Sequence, residues 1–500
     1  MSVPIDPEQW YAAYEAAPAS QQYGMLLDII DQPLSLELAE ELDLGMTLVE
    51  MQDALMSHNL FDQAIALIRT LQTKQPELHQ REFPFLDNLL VKYYLYHNQP
   101  DQVRAALSQF MAHPAEDIDQ TLAVLDYLKF YDAADLAVEL CRTAYSAVEA
   151  SPNVVPGTEM ELGSVILNAQ IQQANQQVQA GQSVDWDTFL AEAVQYGFDD
   201  RKEWVDEIKH DLMTTIEAAP EFFAGFKRDR GRALRLLSSQ FCQTMAEKRM
   251  SFICSSAIWE AVVDFLESRR LPRKQLAHPN SYFAVSPIEL DDYATHKIGG
   301  MLSLQQAVGV ALLWGIPYVY DFLAARSIIR QEVQQGAIAA AQTLKEQLVD
   351  NFPQLWRYDF VHRWAPPDSG SSAEAELEAR QFAASLATVT PLSNETGIHT
   401  TAALLDDFAQ QLPPDLLRSL GDGDLEFEQD DEDWMNAGLS DRPGLSDLPE
   451  QPPLKPIKPA KPRKSPLQLA AELSSNGRLK PGSKPSGLSK KKKKRQGDRG

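Results

Sequence analysis

Apolar positions along the first 420 residues recur at intervals of three and four, the period that places them on one face of an α-helix. Strand-like alternation with β-branched residues is scarce, while Leu, Ala, Gln and Glu dominate. The pattern predicts an all-α fold. The clearest instance is 62–74, with Ala64, Ile65, Ile68 and Leu71 on one face. Turn signals separate the predicted helices: His58-Asn59, Lys74-Gln75-Pro76, His97-Asn98-Gln99-Pro100, His113-Pro114 and Ser151-Pro152. Pro100 followed by Asp101 suits a first helical turn, where a missing N–H costs nothing and an acid meets the positive helix end.

Small and large apolar residues recur in a finer order. Phe61, Ala64, Ile68, Leu71 and Pro76 fall at offsets of 3, 4, 3 and 5. An aromatic, a small residue, two bulky core residues and a terminating proline resemble the second helix of a tetratricopeptide repeat, with 47–57 as its first helix. A second copy falls at Val103, Leu107 and Phe110, after a first helix over 85–97. A third falls at Tyr131, Ala134, Val138 and Cys141, after a first helix over 118–130. The small-residue positions of the three copies are spaced 39 and 31 apart. Residues 45–150 thus resemble degenerate tetratricopeptide or related helix-hairpin repeats. The resemblance implies an α-solenoid-like stack whose concave surface takes a peptide or helix from a protein partner. An ordinary helical bundle is the other reading of the same periodicity.

Around this region the pattern predicts N-terminal helices over 1–44, a helical connector over 151–220, a second helical domain over 221–365, and a linker with a helix over 366–420. The connector holds a Gln-rich polar helix at 166–180 and an amphipathic one at 185–198. The second domain holds an uncharged run of 23 residues, 298–320, long enough to cross a bilayer. Ser303, Gln305, Gln306 and Pro317 interrupt it, so a buried core helix that breaks near Pro317 is expected rather than a membrane span. Helices over 318–330 and 336–350 should pack on it.

Charge divides the chain further. The net charge of −26 averages an acidic belt of −10 over 421–450, a basic Pro/Lys-rich tail of +13 over 451–500, and −29 for the rest. Both end segments read as disordered. Within the tail, 465–473 reads as a short helix that folds on a partner, with Leu469 and Leu473 sharing a face. Beyond it lies a cation run, Lys490, Lys491, Lys492, Lys493, Lys494 and Arg495. The acidic body has its own basic island: 225–275 carries 11 bases and 5 acids. Lys227 opens it, and on one helix Arg228, Arg232 and Arg235 would share a face at i, i+4 and i+7. Arginine forks suit phosphates and carboxylates, so these residues and the cation run are anion-binding candidates. Salt bridges to the body's own acids are the competing reading, and contact with the belt segment 426–433 is a third.

Site chemistry is sparse. No G-x-x-x-x-G-K-[ST] loop, G-x-G-x-x-G, H-E-x-x-H or G-x-S-x-G occurs, and the nine histidines are scattered. Cys141, Cys242 and Cys254 are too few for a disulfide framework or a four-cysteine zinc site, and their apolar neighbours predict buried thiols. The aromatic segment 356–364 reads as packed rather than pocket-lining. No catalytic residue, metal or cofactor is expected. The N-terminus lacks a basic region before an apolar run, which predicts no secretory signal and a cytoplasmic location, or a nuclear one in a eukaryote. Three functions stay open. One is an adaptor binding proteins through the hairpins and tail. Another is nucleic-acid or ribosome association through Arg228, Arg232, Arg235 and the cation run. The third is an enzyme of an unrecognised family, which a pocket gathering ionisable groups within 221–365 would signal.

Overall fold

In the computed structural model, which describes residues 6–58, 60–216, 220–299 and 306–351, every regular element is a helix. The first group is α1 (Pro7–Ala16), α2 (Ala19–Ile30), α3 (Leu36–Glu41), α4 (Leu44–Ser57), α5 (Phe61–Lys74), α6 (Pro76–Tyr96) and α7 (Pro100–Ala112). Next come α8 (Ile118–Phe130), α9 (Ala134–Ala150), α10 (Glu159–Gln179), α11 (Trp186–Gln195), α12 (Glu203–Met213) and α13 (Pro220–Arg228). The rest are α14 (Arg230–Glu247), α15 (Phe252–Ser268), α16 (Arg273–Leu276), α17 (Pro279–Tyr282), α18 (Pro287–Gly299), α19 (Gln306–Ala325) and α20 (Gln331–Asn351).

Helices start where a side chain can take up a bare N–H. Asp117 accepts from Gln120 at 3.0 Å, Asp185 from Thr188 at 3.1 Å, Asp229 from Arg232 at 2.9 Å and Ser251 from Cys254 at 3.1 Å. Several of them stop in one recurrent way. In α6 the N–H of Gln99 reaches back to the carbonyl of Tyr94 at 2.9 Å, and that of Asn98 to Leu95 at 3.0 Å, with Asn98 at φ +52°. This is a Schellman end, in which a left-handed residue reverses the chain. Asp132 after α8, Gly181 after α10, Gly197 after α11, Arg249 after α14 and Ser327 after α19 have the same positive φ and the same pair of bonds. After α4, Leu60 makes the corresponding bond to Leu55 at 2.9 Å.

These ends build helix hairpins. The turns 58–60, 97–99 and 131–133 each have three residues and join α4 to α5, α6 to α7 and α8 to α9. The first helices stack, α4 on α6 and α6 on α8, and α7 packs on α9. Ala64, Ile68 and Leu71 of α5 are buried, Phe61 is half-buried, and exposed Pro76 opens α6 instead of packing. Their equivalents in α7, Val103, Leu107 and Phe110, are buried at the same places after the turn. In α9 the equivalent places fall on Ala137, Cys141 and Ala144, all 0% exposed. The third copy is therefore shifted by three from the Tyr131–Ala134 reading, because Tyr131 lies in the turn and Ala134 begins the helix. Second helices start at Phe61, Pro100 and Ala134, so the interval is 39 and then 34 residues, not 31. Helix α6 also begins at Pro76 rather than 85 and runs through Pro84.

Two large apolar cores result, beside a small cluster of Ala174, Leu212, Cys242 and Phe252, and α8 belongs to both large ones. Val124, Leu125 and Leu128 join the core of α1 to α10, while Tyr127 and Phe130 join that of α13 to α20. At the centre of the second core, α19 packs on α15, α18, α20, α14 and α8. Its apolar stretch Ala307–Ala325 passes the length and hydropathy test for a membrane span, but 78% of that stretch is buried within the protein. Gly315 lets α19 close on α15, since a Cβ there would lie 2.6 Å from Cγ2 of Ile258. Pro317 does not end this helix. It removes one internal N–H, and surrounding burial holds the helix straight on to Ala325, so α20 starts at Gln331.

The start of α15 is fastened to the hairpins. Both carboxylate oxygens of Asp132 accept from the N–H of Ser251 at 3.2 Å, and Gln172 of α10 accepts from that of Phe252 at 2.8 Å. Asp132 and Asn98 hold the same turn position, but only Asp132 carries this bond. Asp132→Gly should therefore lower unfolding free energy by about 1–2 kcal/mol even though glycine suits the left-handed turn. Asn98→Gly should leave it unchanged or raise it, as urea denaturation of the two variants would show.

Candidate functional site

The basic island is split. Asp229 caps α14 with a non-helical backbone, so Arg228 ends α13 while Arg232 and Arg235 lie on the next helix. The single arginine face expected from the i, i+4, i+7 spacing is thus not formed, because aspartate at that point favours capping over a helix interior. Arg232 grips both carboxylate oxygens of Asp211, and Arg235 lies 3.4 Å from Glu207. Asp211 and Glu207 are one turn apart on α12, so two of the four anion-binding candidates of the island, Arg232 and Arg235, fasten α12 to α14. Lys227 and Arg228 are exposed and without an ion pair among the described residues. With Phe226, Arg230 and Leu276 they border an open cleft of about 500 Å³. Lys490, Lys491, Lys492, Lys493, Lys494, Arg495, Leu469 and Leu473 lie outside the described residues, as do the belt and the segment 356–364.

A second cleft, also of about 500 Å³, lies on the hairpins. Ile65 and Tyr94 are buried at its floor with half-buried Tyr93, and Asp62, Arg69 and Gln99 stand exposed at its rim. The Arg69 guanidinium donates to the Tyr94 hydroxyl and sits 5.8 Å from that ring's centre. Burial, with Asp62 close by, raises the Tyr93 phenol above its ordinary range. Nearby, a buried network of Gln72, His79 and Asp87, with His79 Nε2 2.9 Å from Asp87 Oδ1, ties α5 to α6. Its only sign in the sequence is a histidine eight residues before an aspartate, a spacing that belongs to no recognised motif.

The third cleft, about 460 Å³, lies where the two cores meet. Asp119, Asp126 and Lys129 reach it from α8, Glu161 from α10, Glu260 and Asp264 from α15, and Lys297 from α18. Apolar residues, among them Leu122, Ala257, Ala261 and Val308, separate the charges. Lys129 Nζ pairs with Asp126 at 2.6 Å, and the Ser256 hydroxyl donates to Glu260 at 2.8 Å. Burial disfavours the Lys129 ammonium, yet Asp126, Glu260 and Glu161 outweigh it and raise its pKa. Burial raises the Glu260 carboxyl, with Lys129 and Ser256 opposing, and raises Asp264 against the pull of Lys297. Charges drawn from four helices far apart in sequence leave no linear motif, which is why sequence reading missed this cleft. All three cysteines are buried, and burial pushes the Cys141 thiol up to about 12, far from a reactive thiolate.

Two outcomes follow from these geometries. Arg232→Ala strands the mostly buried Asp211 carboxylate and should lower the thermal midpoint by several degrees, whereas Arg228→Ala should leave it unchanged. Glu260, Asp264 and Asp132 have folded pKa values above their ordinary ones, so their contribution is fully present below the ordinary carboxylate range and is lost as pH climbs through the raised values. Thermal melts from neutral pH down to about pH 5 should show rising stability, and Glu260→Gln should flatten that rise.

No protein-family model matches the chain, and neither a curated protein nor a solved structure does.

Proposed function

We propose that the chain is a non-enzymatic adaptor that holds a protein partner against its stacked helix hairpins. The observation that carries this reading is the α5–α6 cleft, a tyrosine floor beneath an arginine and an aspartate, set on three hairpins with the same turn and the same buried positions. Tyrosine and arginine are the side chains that most often anchor protein interfaces. The 34-residue interval between the second and third hairpins supports kinship with tetratricopeptide-like repeats, whose usual service is partner binding. The tail, with Leu469 and Leu473 on one face of a short segment, would add a second docking element.

Nucleic-acid or ribosome association is the second reading, favoured by exposed Lys227 and Arg228, without an ion pair among the described residues, together with the cation run 490–495. Affinity purification with mass spectrometry separates the two. The adaptor reading expects proteins that survive nuclease and high salt and fall by about tenfold with Arg69→Glu/Tyr93→Ala. A set unchanged by that pair, but lost on nuclease treatment or deletion of 490–495, overturns it in favour of the second reading.

A further inference from the structure

We infer that the cleft where α13 meets α14 docks a phosphorylated protein segment, a stretch of peptide carrying a phosphoserine or phosphothreonine. It shares no lining residue with the α5–α6 groove, and the inference does not rest on the adaptor reading.

The first ground is a local inversion of charge. Residues 1–420 carry −29, yet Lys227, Arg228 and Arg230 border this cleft with a single carboxylate, Asp229. That carboxylate is engaged as the cap of α14, accepting from the N–H of Arg232 at 2.9 Å. In one unbroken helix the three cations would fan around the axis by about 100° per residue. The break at Asp229 sets all three against one cleft instead. Arg232 and Arg235, with Asp211 and Glu207 in reach, pair with them. Lys227, Arg228 and Arg230 make no ion pair among the described residues, so their charge faces outward.

The second ground is how the cleft is built. The Arg230 guanidinium lies 5.3 Å from the ring centre of fully buried Tyr282, and its Nε is shut off from water with no hydrogen-bond partner among the described residues. An arginine packed on a ring loses less freedom when its fork closes on an oxyanion. The backbone beside it is open: a Cβ on Gly231 would meet only the Asp229 carboxylate, at 3.7 Å. Buried Phe226 and half-buried Leu276 and Ala277 supply apolar surface for the side chain next to the phosphate, within about 500 Å³. A phosphomonoester brings about two negative charges and three acceptor oxygens, enough for an ammonium and two guanidinium groups at once, where a carboxylate offers one charge.

The same surroundings favour a peptide over a nucleic acid. An extended polyanion needs cations along its path. Further along α14, Arg232 and Arg235 are tied to α12, and α12 presents Glu203, Asp206 and Glu207 to solvent. A strand with its first phosphate in the cleft would lay later ones toward these acids, whereas a peptide carrying one phosphate places its charge among the three cations alone.

The test is fluorescence polarisation of the full chain with a labelled peptide pool, one phosphoserine at the centre of randomised flanks, in physiological salt. Saturable binding is expected, about tenfold tighter than that of the pool with aspartate in place of phosphoserine. Lys227→Glu/Arg228→Glu should weaken it about tenfold, and both side chains are exposed, so this variant folds. The same charge reversal at exposed Lys74 and Arg104, on α5 and α7, should alter it by less than about twofold. Arg69→Glu/Tyr93→Ala should do the same, which tells failure of the α5–α6 groove from failure of this cleft. No saturable signal, equal binding of the aspartate pool, or equal loss in Lys74→Glu/Arg104→Glu would each overturn the inference. So would a single-stranded RNA that Lys227→Glu/Arg228→Glu releases as strongly as it releases the peptide, in favour of nucleic acid.

Discussion

Helix α8 has to serve two interiors at once. Val124, Leu125 and Leu128 fill one core and Tyr127 and Phe130 the other, which leaves only a narrow strip of its 13 residues for polar groups. Asp119, Asp126 and Lys129 occupy that strip. Opposite it, α15 is buried nearly all round and concedes a single line, Ser256, Glu260 and Asp264, at one-turn spacing. The charged cleft is thus the seam where two apolar surfaces stop short of each other. Its charges are not decoration on a finished surface. They are what these helices present wherever neither core claims the position, and a shift of α8 would disturb both cores and the cleft together.

Some of this architecture is written locally and some is not. Helices, turn positions and the buried Ala64, Ile68 and Leu71 are legible because they depend on neighbours three and four residues away. The register of the third hairpin is harder, since Tyr131 and Ala134 mimic the aromatic and small residue that the pattern seeks three positions later. Pro84 and Pro317 mislead for a different reason: each costs its helix a hydrogen bond, and only tertiary burial, invisible in sequence, keeps the helix intact. Arg228, Arg232 and Arg235 have helical spacing, but Asp229 between them takes the cap and ends one helix before the next begins. The cleft assembles Asp119, Glu161, Glu260 and Lys297 across 178 positions of chain, and no window of sequence contains it.

The electrostatic layout also acquires a mechanical sense. In a body of −29, cations would be expected to vanish into ion pairs. Arg232 and Arg235 do so, joining α12 to α14, and Arg81 reaches Glu40 at 2.7 Å to join α6 to α3. Exposed pairs of this kind stabilise little individually, but the half-buried Arg232–Asp211 fork meets the geometry that makes such a bond count.

The uniform hairpin turn has an evolutionary consequence. With the turn held at three residues, any change in repeat length must enter at the opposite end of the hairpin. The first helices show this: α4 has 14 residues, α6 has 21 and α8 has 13, yet all finish at equivalent turns. The surplus of α6 over α8 extends its start by roughly 12 Å. There, Gln75 bonds the carbonyls of Ile30 and Gln32 and Arg81 meets Glu40, docking the N-terminal helices. Insertions and deletions at that rim can lengthen or trim the scaffold, or recruit new segments onto it, without disturbing the packed seam that every hairpin shares.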